Sequence, residues 1–418
     1  MLKKVFFSLI LSSMLFFSMS GRVYGQTAYP VEAPPSLDSG EVIYDYAMKL
    51  NDAGDRQAAE QYLSQIISRF PGDAYREAAE FKLLYLTILD SIDSGDYATA
   101  ISRMGQIPHE CSVRFGIPWH LCDLAARFEA KGRLDEAAAA LQLVLDKHPQ
   151  SDLVCRARLK MHYSIALSCI NAGKYDLAMQ QTQIIASECR DNLDTPWHVA
   201  DIVYRFENND RFGEAQKTYE LMLGDQKTFA SYSGIAARGK KRSEAIQQIQ
   251  ARGADSIAVS VCLEQIKQGF GDDANGAYAA FFVGEKMYLQ AQKIADTEQK
   301  SRLLDAAETM FYYCGGKITD KTAVAENSYM LGLTCNTMGN YYKAAQAFAD
   351  SYRADPNFKY ADYCVFMTGY SYERLLDKGG ISKTEATQLI MPVYIKLLAE
   401  YPTSIHVGHT QKWLQDNK

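Results

Sequence analysis

Two stretches of the sequence, 78 residues apart, contain side chains that could transfer protons or bind a ligand. PWHLCDLAARFEAKGRLDEA begins at Pro118, and PWHVADIVYRFENNDRFGEA begins at Pro196. Histidine titrates near neutral pH, and tryptophan offers a large apolar contact surface. The candidate site residues are Trp119, His120, Arg127 and Glu129, with Trp197, His198, Tyr204, Arg205 and Glu207 in the second stretch.

Other chemistry has weaker support in the sequence. His406 and His409 are three residues apart, which suits two metal ligands on one helical face, but no third ligand is close in sequence. The chain has no GxSxG, HExxH or phosphate-loop motif. The nine cysteines include no CxxC pair, so redox, haem and zinc sites lack support; a Cys-His dyad and one or two disulfides stay open. We therefore predict no enzyme activity, no cofactor and no metal.

The 78-residue spacing extends well beyond the two stretches. In the same frame Lys82 aligns with Lys160, Tyr85 with Tyr163, and Asp45 with Asp123 and Asp201. Within each period, turn residues at Gly54, Gly95, Gly132, Gly173 and Asp210 are separated alternately by 41 and 37 residues, and each is followed five residues later by alanine. Apolar residues then recur at helical spacing. The pattern predicts helix-turn-helix units that bury their apolar faces by stacking.

These residues resemble the tetratricopeptide repeat, in which a small residue, Gly, Ala, an aromatic residue and Pro recur at fixed offsets. The clearest copy, LGLTCNTMGNYYKAAQAFADSYRADP, contains Gly332, Gly339, Ala344, Phe348 and Pro356 without a gap. The resemblance covers most of residues 40–223 and 277–402. It implies an all-α fold, an α-solenoid of tetratricopeptide-like helix-turn-helix repeats that forms a right-handed superhelix.

The resemblance also implies a concave groove lined by the first helix of each repeat. Tyr44 and Asn51 then join the partner-groove candidates named above, and the groove is expected to be aromatic and acidic. An extended or helical segment of a protein could bind there. The alternative is structural: Pro starts the helix, Trp packs on the preceding helix, and His caps the helix or is solvated. Arg127 and Glu129, two residues apart, should contact adjacent helices or water, and Asp45, Asp123 and Asp201 should hydrogen-bond to a neighbouring unit.

The beginning of the chain indicates export. Met1-Leu2-Lys3-Lys4 precedes a short apolar run to Met19, which is too short for a membrane span, and the segment that follows contains the small residues Ser20, Gly21 and Gly25. We expect residues 1–25 to be a cleaved signal peptide, with no membrane span afterwards and a periplasmic or extracellular location. The first cysteine is Cys111, so no thiol is placed for lipid attachment after the leader.

The remaining chain divides by pattern. Residues 26–38 form a Pro-rich tether, 39–223 an N-terminal array of five repeats, and 224–276 a degenerate repeat or helical connector. Residues 277–418 form a C-terminal array that ends in a capping helix.

The sequence favours a non-catalytic exported scaffold that binds a protein or peptide segment or assembles a complex in the cell envelope. The phrases IISRFPGDAYREAAEF and LLAEYPTSIHVGHTQKWL are similar to helix ends of outer-membrane assembly lipoproteins and Tol-Pal coordinators. The net charge of −6 disfavours nucleic acid. Alternatives are a glycan-binding or glycan-processing envelope protein, for which the 27 tyrosines could supply stacking surfaces, and an obligate subunit of a larger envelope complex.

Overall fold

The computed structural model describes residues 36–108 and 116–417. The expected signal peptide at residues 1–25, most of the tether and Cys111 lie outside the described residues. The described ranges contain helices and no strand, which confirms the all-α prediction. Contacts divide the chain into two compact units, Met1–Arg205 and Phe206–Lys418.

The first unit is built from helices that pair with their neighbours in sequence. The helices are α1 (Gly40–Asp52), α2 (Arg56–Arg69), α3 (Tyr75–Ser94), α4 (Tyr97–Met104), α5 (Ile117–Ala130), α6 (Leu134–Lys147), α7 (Val154–Asn171), α8 (Tyr175–Glu188) and α9 (Thr195–Asn208), whose last three residues belong to the second unit. The first helices of successive pairs, α1, α3, α5, α7 and α9, also contact one another directly. We call the part of this set that lies in the first unit the first-helix layer.

The second unit continues the same pattern. Its helices are α10 (Phe212–Gly224), α11 (Ser233–Ala251), α12 (Ser256–Phe270), α13 (Ala274–Lys293), α14 (Thr297–Cys314), α15 (Lys321–Thr337), α16 (Tyr341–Ala354), α17 (Ala361–Asp377), α18 (Lys383–Glu400) and α19 (Val407–Asp416). A short 3₁₀ turn, Ala230–Tyr232, precedes α11. Within residues 224–276, α11 packs against both α10 and α12, so this stretch consists of packed helices. The predicted domain boundaries stay predictions.

The turns between paired helices explain the regular spacing of glycine. Gly54, Gly95, Gly132 and Gly173 all have positive φ, between 71° and 90°. Only glycine adopts this left-handed conformation without a steric cost from Cβ. At the fifth equivalent position Asp210 has φ 59°, a conformation that aspartate tolerates better than most residues. The five turn positions predicted from the sequence are therefore confirmed.

The repeated alanines mark the contact between paired helices. The five that follow the turns are fully buried: Ala59, Ala100, Ala137, Ala178 and Ala215. The positions four and seven residues after each alanine are buried as well, for example Leu63 and Ile66. Small residues let two helix backbones approach closely, and the larger ones fill the remaining space. A core of this kind runs from Ile43 to Met161 within the first unit.

Candidate functional site: a repeated polar and aromatic cluster

Two residues that the sequence places 38 positions apart join neighbouring helices of the first-helix layer. The Tyr85 hydroxyl on α3 donates a hydrogen bond to the Asp123 carboxylate on α5. The same carboxylate accepts a bond of 2.7 Å from Arg127 Nε, one helical turn further on. Asp123 is thus held by a phenol from one helix and a guanidinium from its own.

The second stretch repeats this geometry 78 residues later. The Tyr163 hydroxyl on α7 donates a bond of 2.7 Å to Asp201 Oδ2 on α9, and Arg205 Nε donates one of 2.6 Å to the same oxygen. The expectation that Asp123 and Asp201 bond to a neighbouring unit is confirmed. Burial and the nearby carboxylate raise the pKa of both tyrosines well above the ordinary value, so each hydroxyl stays protonated and donates.

An imidazole, a tryptophan and a lysine surround each tyrosine ring. In the first copy the His120 and Tyr85 rings are nearly perpendicular with 4.6 Å between centroids, and Trp119 lies 5.1 Å from His120. In the second copy the corresponding distances are 4.5 Å and 4.8 Å. The ammonium groups of Lys82 and Lys160 lie 4.8 Å and 5.6 Å from the tyrosine centroids. Each Lys-Tyr-His-Trp set, with its Asp and Arg, forms one cluster.

The two clusters differ in what their lysine and histidine contact. Lys82 Nζ lies 3.4 Å from His120 Nε2, whereas Lys160 Nζ lies 3.6 Å from Glu129 Oε2. His198 donates through Nδ1 to the Asp194 carbonyl at 2.7 Å, and among the described residues its buried Nε2 has no hydrogen-bond partner. Burial, with the charges of Lys160 and Arg156, lowers the pKa of His198 to about 3. His198 is therefore neutral at physiological pH.

Solvent exposure separates the candidate residues into two groups. Trp119 and Tyr204 are 52% and 43% exposed. Trp197 is half-buried because it packs against Tyr163 of the preceding helix, at 6.0 Å between centroids. The other half-buried candidates are His120, Arg127, Arg205, Tyr44 and Asn51. Tyr44 packs on Tyr75 at 5.6 Å, and the Asn51 carbonyl closes the α1–α2 turn.

Two candidates require a correction. His198 and Glu207 are only 3% exposed, so neither can contact a partner directly in this conformation. Their side chains are covered because neighbouring helices supply aromatic rings and polar groups around them. His198 and Glu207 therefore contribute to packing between helices, whereas the sequence pattern predicted that they would contact a ligand.

The expected acidic groove also requires a correction, because its acids have internal partners. Glu129 accepts a hydrogen bond of 2.8 Å from Ser164 and lies near Lys160, as already described. Glu207, in the second unit, receives bonds of 2.6 and 2.7 Å from Arg242 Nη2 and one of 3.2 Å from the Tyr219 hydroxyl. As the structural alternative predicted, both glutamates contact adjacent helices.

The sequence prediction of the site does not include four residues that belong to the two clusters. Lys82, Tyr85, Lys160 and Tyr163 were recognised as repeating positions but were not included among the candidates. Their recurrence in the same frame as the two Pro-Trp-His stretches was the available signal.

The histidines and cysteines considered as metal ligands or disulfide partners have other roles in the structure. His406 stacks on Phe366 at 4.0 Å, and His409 Nε2 lies 3.0 Å from Glu373. Within the described ranges no group of three His, Cys, Asp or Glu side chains could hold a metal ion.

The eight cysteines in those ranges form no disulfide with one another. Of the helices in those ranges, none has both the length and the apolar character that crossing a membrane requires.

Comparison with known proteins gives one family match. Residues 125–151, which cover the end of α5 and all of α6, match the tetratricopeptide repeat family. No curated protein sequence matches the chain.

Solved structures show only distant similarity. IFIT1 in complex with Gppp-AAAA is 14% identical with a TM-score of 0.28, covering 90% of this chain and 81% of that one. Naa15/Naa10 bound to HypK-THB is 14% identical with a TM-score of 0.28, covering 91% and 69%. The Cut9-Hcn1 hetero-tetramer is 12% identical with a TM-score of 0.25, covering 97% and 81%. The matched repeat, together with the stacked helix pairs and their left-handed turns, supports a tetratricopeptide-repeat protein.

Proposed function

We propose that this chain is an exported, non-catalytic scaffold that binds a segment of a partner protein on its first-helix layer. The observation that carries the proposal is Trp119, an indole that is half exposed on α5, whereas Leu121, Leu124 and Phe128 on the same helix are fully buried. Exposed aromatic side chains supported by rigid elements are typical anchors at protein interfaces. Tyr204 on α9 offers a second such anchor.

The support beneath Trp119 suits a binding role. The hydrogen bond of Tyr85 to Asp123 joins α3 to α5, and Arg127, on α5 itself, holds the Asp123 carboxylate in position. A partner segment would therefore meet a surface that is already ordered, which reduces the entropy lost on binding.

The binding surface can be tested by substitution. We expect Trp119→Ala, alone and with Trp197→Ala, to abolish capture of partner proteins from native envelopes, while circular dichroism shows unchanged helix content. Leu193→Ala is the matched control, because this residue is 97% exposed and lies in the turn before α9. If Trp119→Ala unfolds the chain, or if capture survives the double substitution, the surface assignment is wrong.

Export is proposed from the leader at residues 1–25 and the envelope role from the resemblance stated above. Cell fractionation tests the location: the full chain should be found in the periplasm or medium, and a chain that begins at Gln26 behind a new methionine should stay in the cytoplasm. If the full chain and the shortened chain were found in the same fractions, export by this leader would be contradicted. Mass spectrometry of the captured proteins would then identify the partner.

A further inference from the structure

The acidic side chains of the first-helix layer at the two clusters are neutralised within the protein. Asp123 pairs with Arg127, Asp201 pairs with Arg205, and Glu129 lies near Lys160. These three carboxylates face three cations. Within the clusters as described, none of these three carboxylates pairs with the fourth cation, Lys82.

Lys82 is a half-buried cation that has no counter-ion among the described residues. Its Nζ lies 3.4 Å from His120 Nε2 and 4.8 Å from the Tyr85 centroid, and no carboxylate of the described residues is within ion-pair distance. Burial lowers the pKa of Lys82, and the more distant Asp52 and Asp123 oppose that shift. Removing an ammonium group from water without pairing it is unfavourable, so an anion that reached this position would be stabilised.

Trp119 and this cation share a neighbour, His120. Its ring packs 5.1 Å from His120, the same imidazole that contacts Lys82 Nζ. One imidazole therefore contacts both an exposed indole and an ammonium group that has no carboxylate partner among the described residues. A ligand that carries a carboxylate next to an apolar group could engage both at once.

We propose that this surface binds an acidic segment of a partner protein, in which a carboxylate pairs with Lys82 and a nearby apolar side chain packs on Trp119. The inference rests on the proposed function and specifies the chemistry of the partner. The equivalent position in the second cluster contributes less, because Glu129 already compensates the charge of Lys160. The protein as a whole is acidic and would repel an acidic partner. The local positive charge of Lys82 therefore gives such a partner one specific place to bind.

Labelled peptides test the proposal on the full mature chain. Three peptides of one length combine leucine and glycine with glutamate, glutamine or lysine, and an acidic oligogalacturonate serves as a saccharide probe. Fluorescence anisotropy should show that the glutamate peptide binds with a Kd about tenfold lower than the glutamine peptide, and that added salt weakens this preference.

Variants locate the binding site. Lys82→Met should weaken binding of the glutamate peptide about tenfold, Lys82→Arg should largely preserve it, and Lys160→Met should have a smaller effect than Lys82→Met. Glu129→Gln should strengthen binding because it releases Lys160. Lys131→Met, an exposed lysine at the other end of α5, is the control and should bind as the unmodified chain does. Circular dichroism checks that each variant folds.

The possible outcomes are distinct. If the glutamine or lysine peptide binds as well as the glutamate peptide, with dependence on Trp119, the acidic partner is wrong but the protein-binding surface stands. If only oligogalacturonate binds, the surface recognises saccharide and the proposal is overturned. If no peptide binds and Trp119→Ala leaves partner capture intact, this proposal and the proposed function both fail.

Discussion

The Tyr163 hydroxyl donates a hydrogen bond of 2.7 Å to Asp201 Oδ2, across the contact between α7 and α9. Tyr85 and Asp123 make the same contact between α3 and α5. The acceptor is a carboxylate, so these bonds are stronger than those between neutral groups. One tyrosine in each 78-residue period thus links its own helix to the first helix of the following pair.

We expect Tyr163→Phe to lower the free energy of unfolding by about 2 kcal/mol, because a buried bond to a charged group is lost while Asp201 keeps only Arg205. Urea denaturation measures the change. Tyr342→Phe is the control, since this ring is 51% exposed and makes no hydrogen bond within the described residues. Equal effects of the two substitutions would show that the Asp201 contact contributes nothing specific.

The buried His198 predicts a particular dependence of stability on pH. Its pKa of about 3 in the folded state is below the value near 6.5 expected when the chain is unfolded, so the unfolded state binds more protons at intermediate pH. The contribution of His198 to stability is therefore complete above pH 6.5 and decreases as the pH falls towards 3, by up to about 1.4 kcal/mol per pH unit.

The measurement compares the unmodified chain with His198→Asn in urea between pH 6.5 and 4.5. The carboxylates are the same in both proteins, so the difference in slope isolates the histidine, and the variant should lose less stability on acidification. Parallel slopes would mean that His198 accepts a proton freely in the folded state.

The ion pair of Glu207 and Arg242 in the second unit should be much more important than a surface pair. Glu207 is almost completely buried and also accepts from Tyr219. Arg242→Met leaves that carboxylate without its cation, and we expect a loss of about 3–5 kcal/mol in the free energy of unfolding.

Two comparisons test this assignment. Glu207→Gln combined with Arg242→Met should be less destabilising than Arg242→Met alone, because no unpaired charge stays buried. Arg302→Met removes an exposed pair with Glu298 and should cost less than about 1 kcal/mol. If Arg242→Met and Arg302→Met have similar effects in urea denaturation, Glu207 must gain access to water in solution.

The turn glycines can be tested without disturbing any packing contact. Gly132 has φ 73°, and a Cβ built there would have no atom within 4 Å. We expect Gly132→Ala to destabilise the chain by about 1–2 kcal/mol through its backbone conformation alone. Gly224→Ala, in equally open space at a position without positive φ, should be neutral or slightly stabilising in thermal denaturation. A neutral Gly132→Ala would contradict the left-handed turn.

The repeat architecture could be read from the sequence because it depends on local rules. A left-handed turn favours Gly or Asp, as at Gly132 and Asp210, and helical spacing identifies buried positions such as Ala137. The period of 78 residues then predicted that Asp123 and Asp201 have equivalent surroundings, which the bonds from Tyr85 and Tyr163 confirm. The turns and buried positions are determined by each local segment, and the equivalence of the two aspartates follows from the repetition of that segment.

The accessibility of the candidate side chains was decided only by the tertiary structure. Trp119 and Trp197 occupy equivalent positions, yet the first is exposed and the second half-buried, and Lys82 and Lys160 differ in whether a carboxylate is near. Burial and pairing depend on side chains brought in by helices about 40 residues away in sequence. Sequence spacing determined which helix face each residue occupies, whereas the packing of neighbouring helices determined whether that face meets solvent, an ion or a ring.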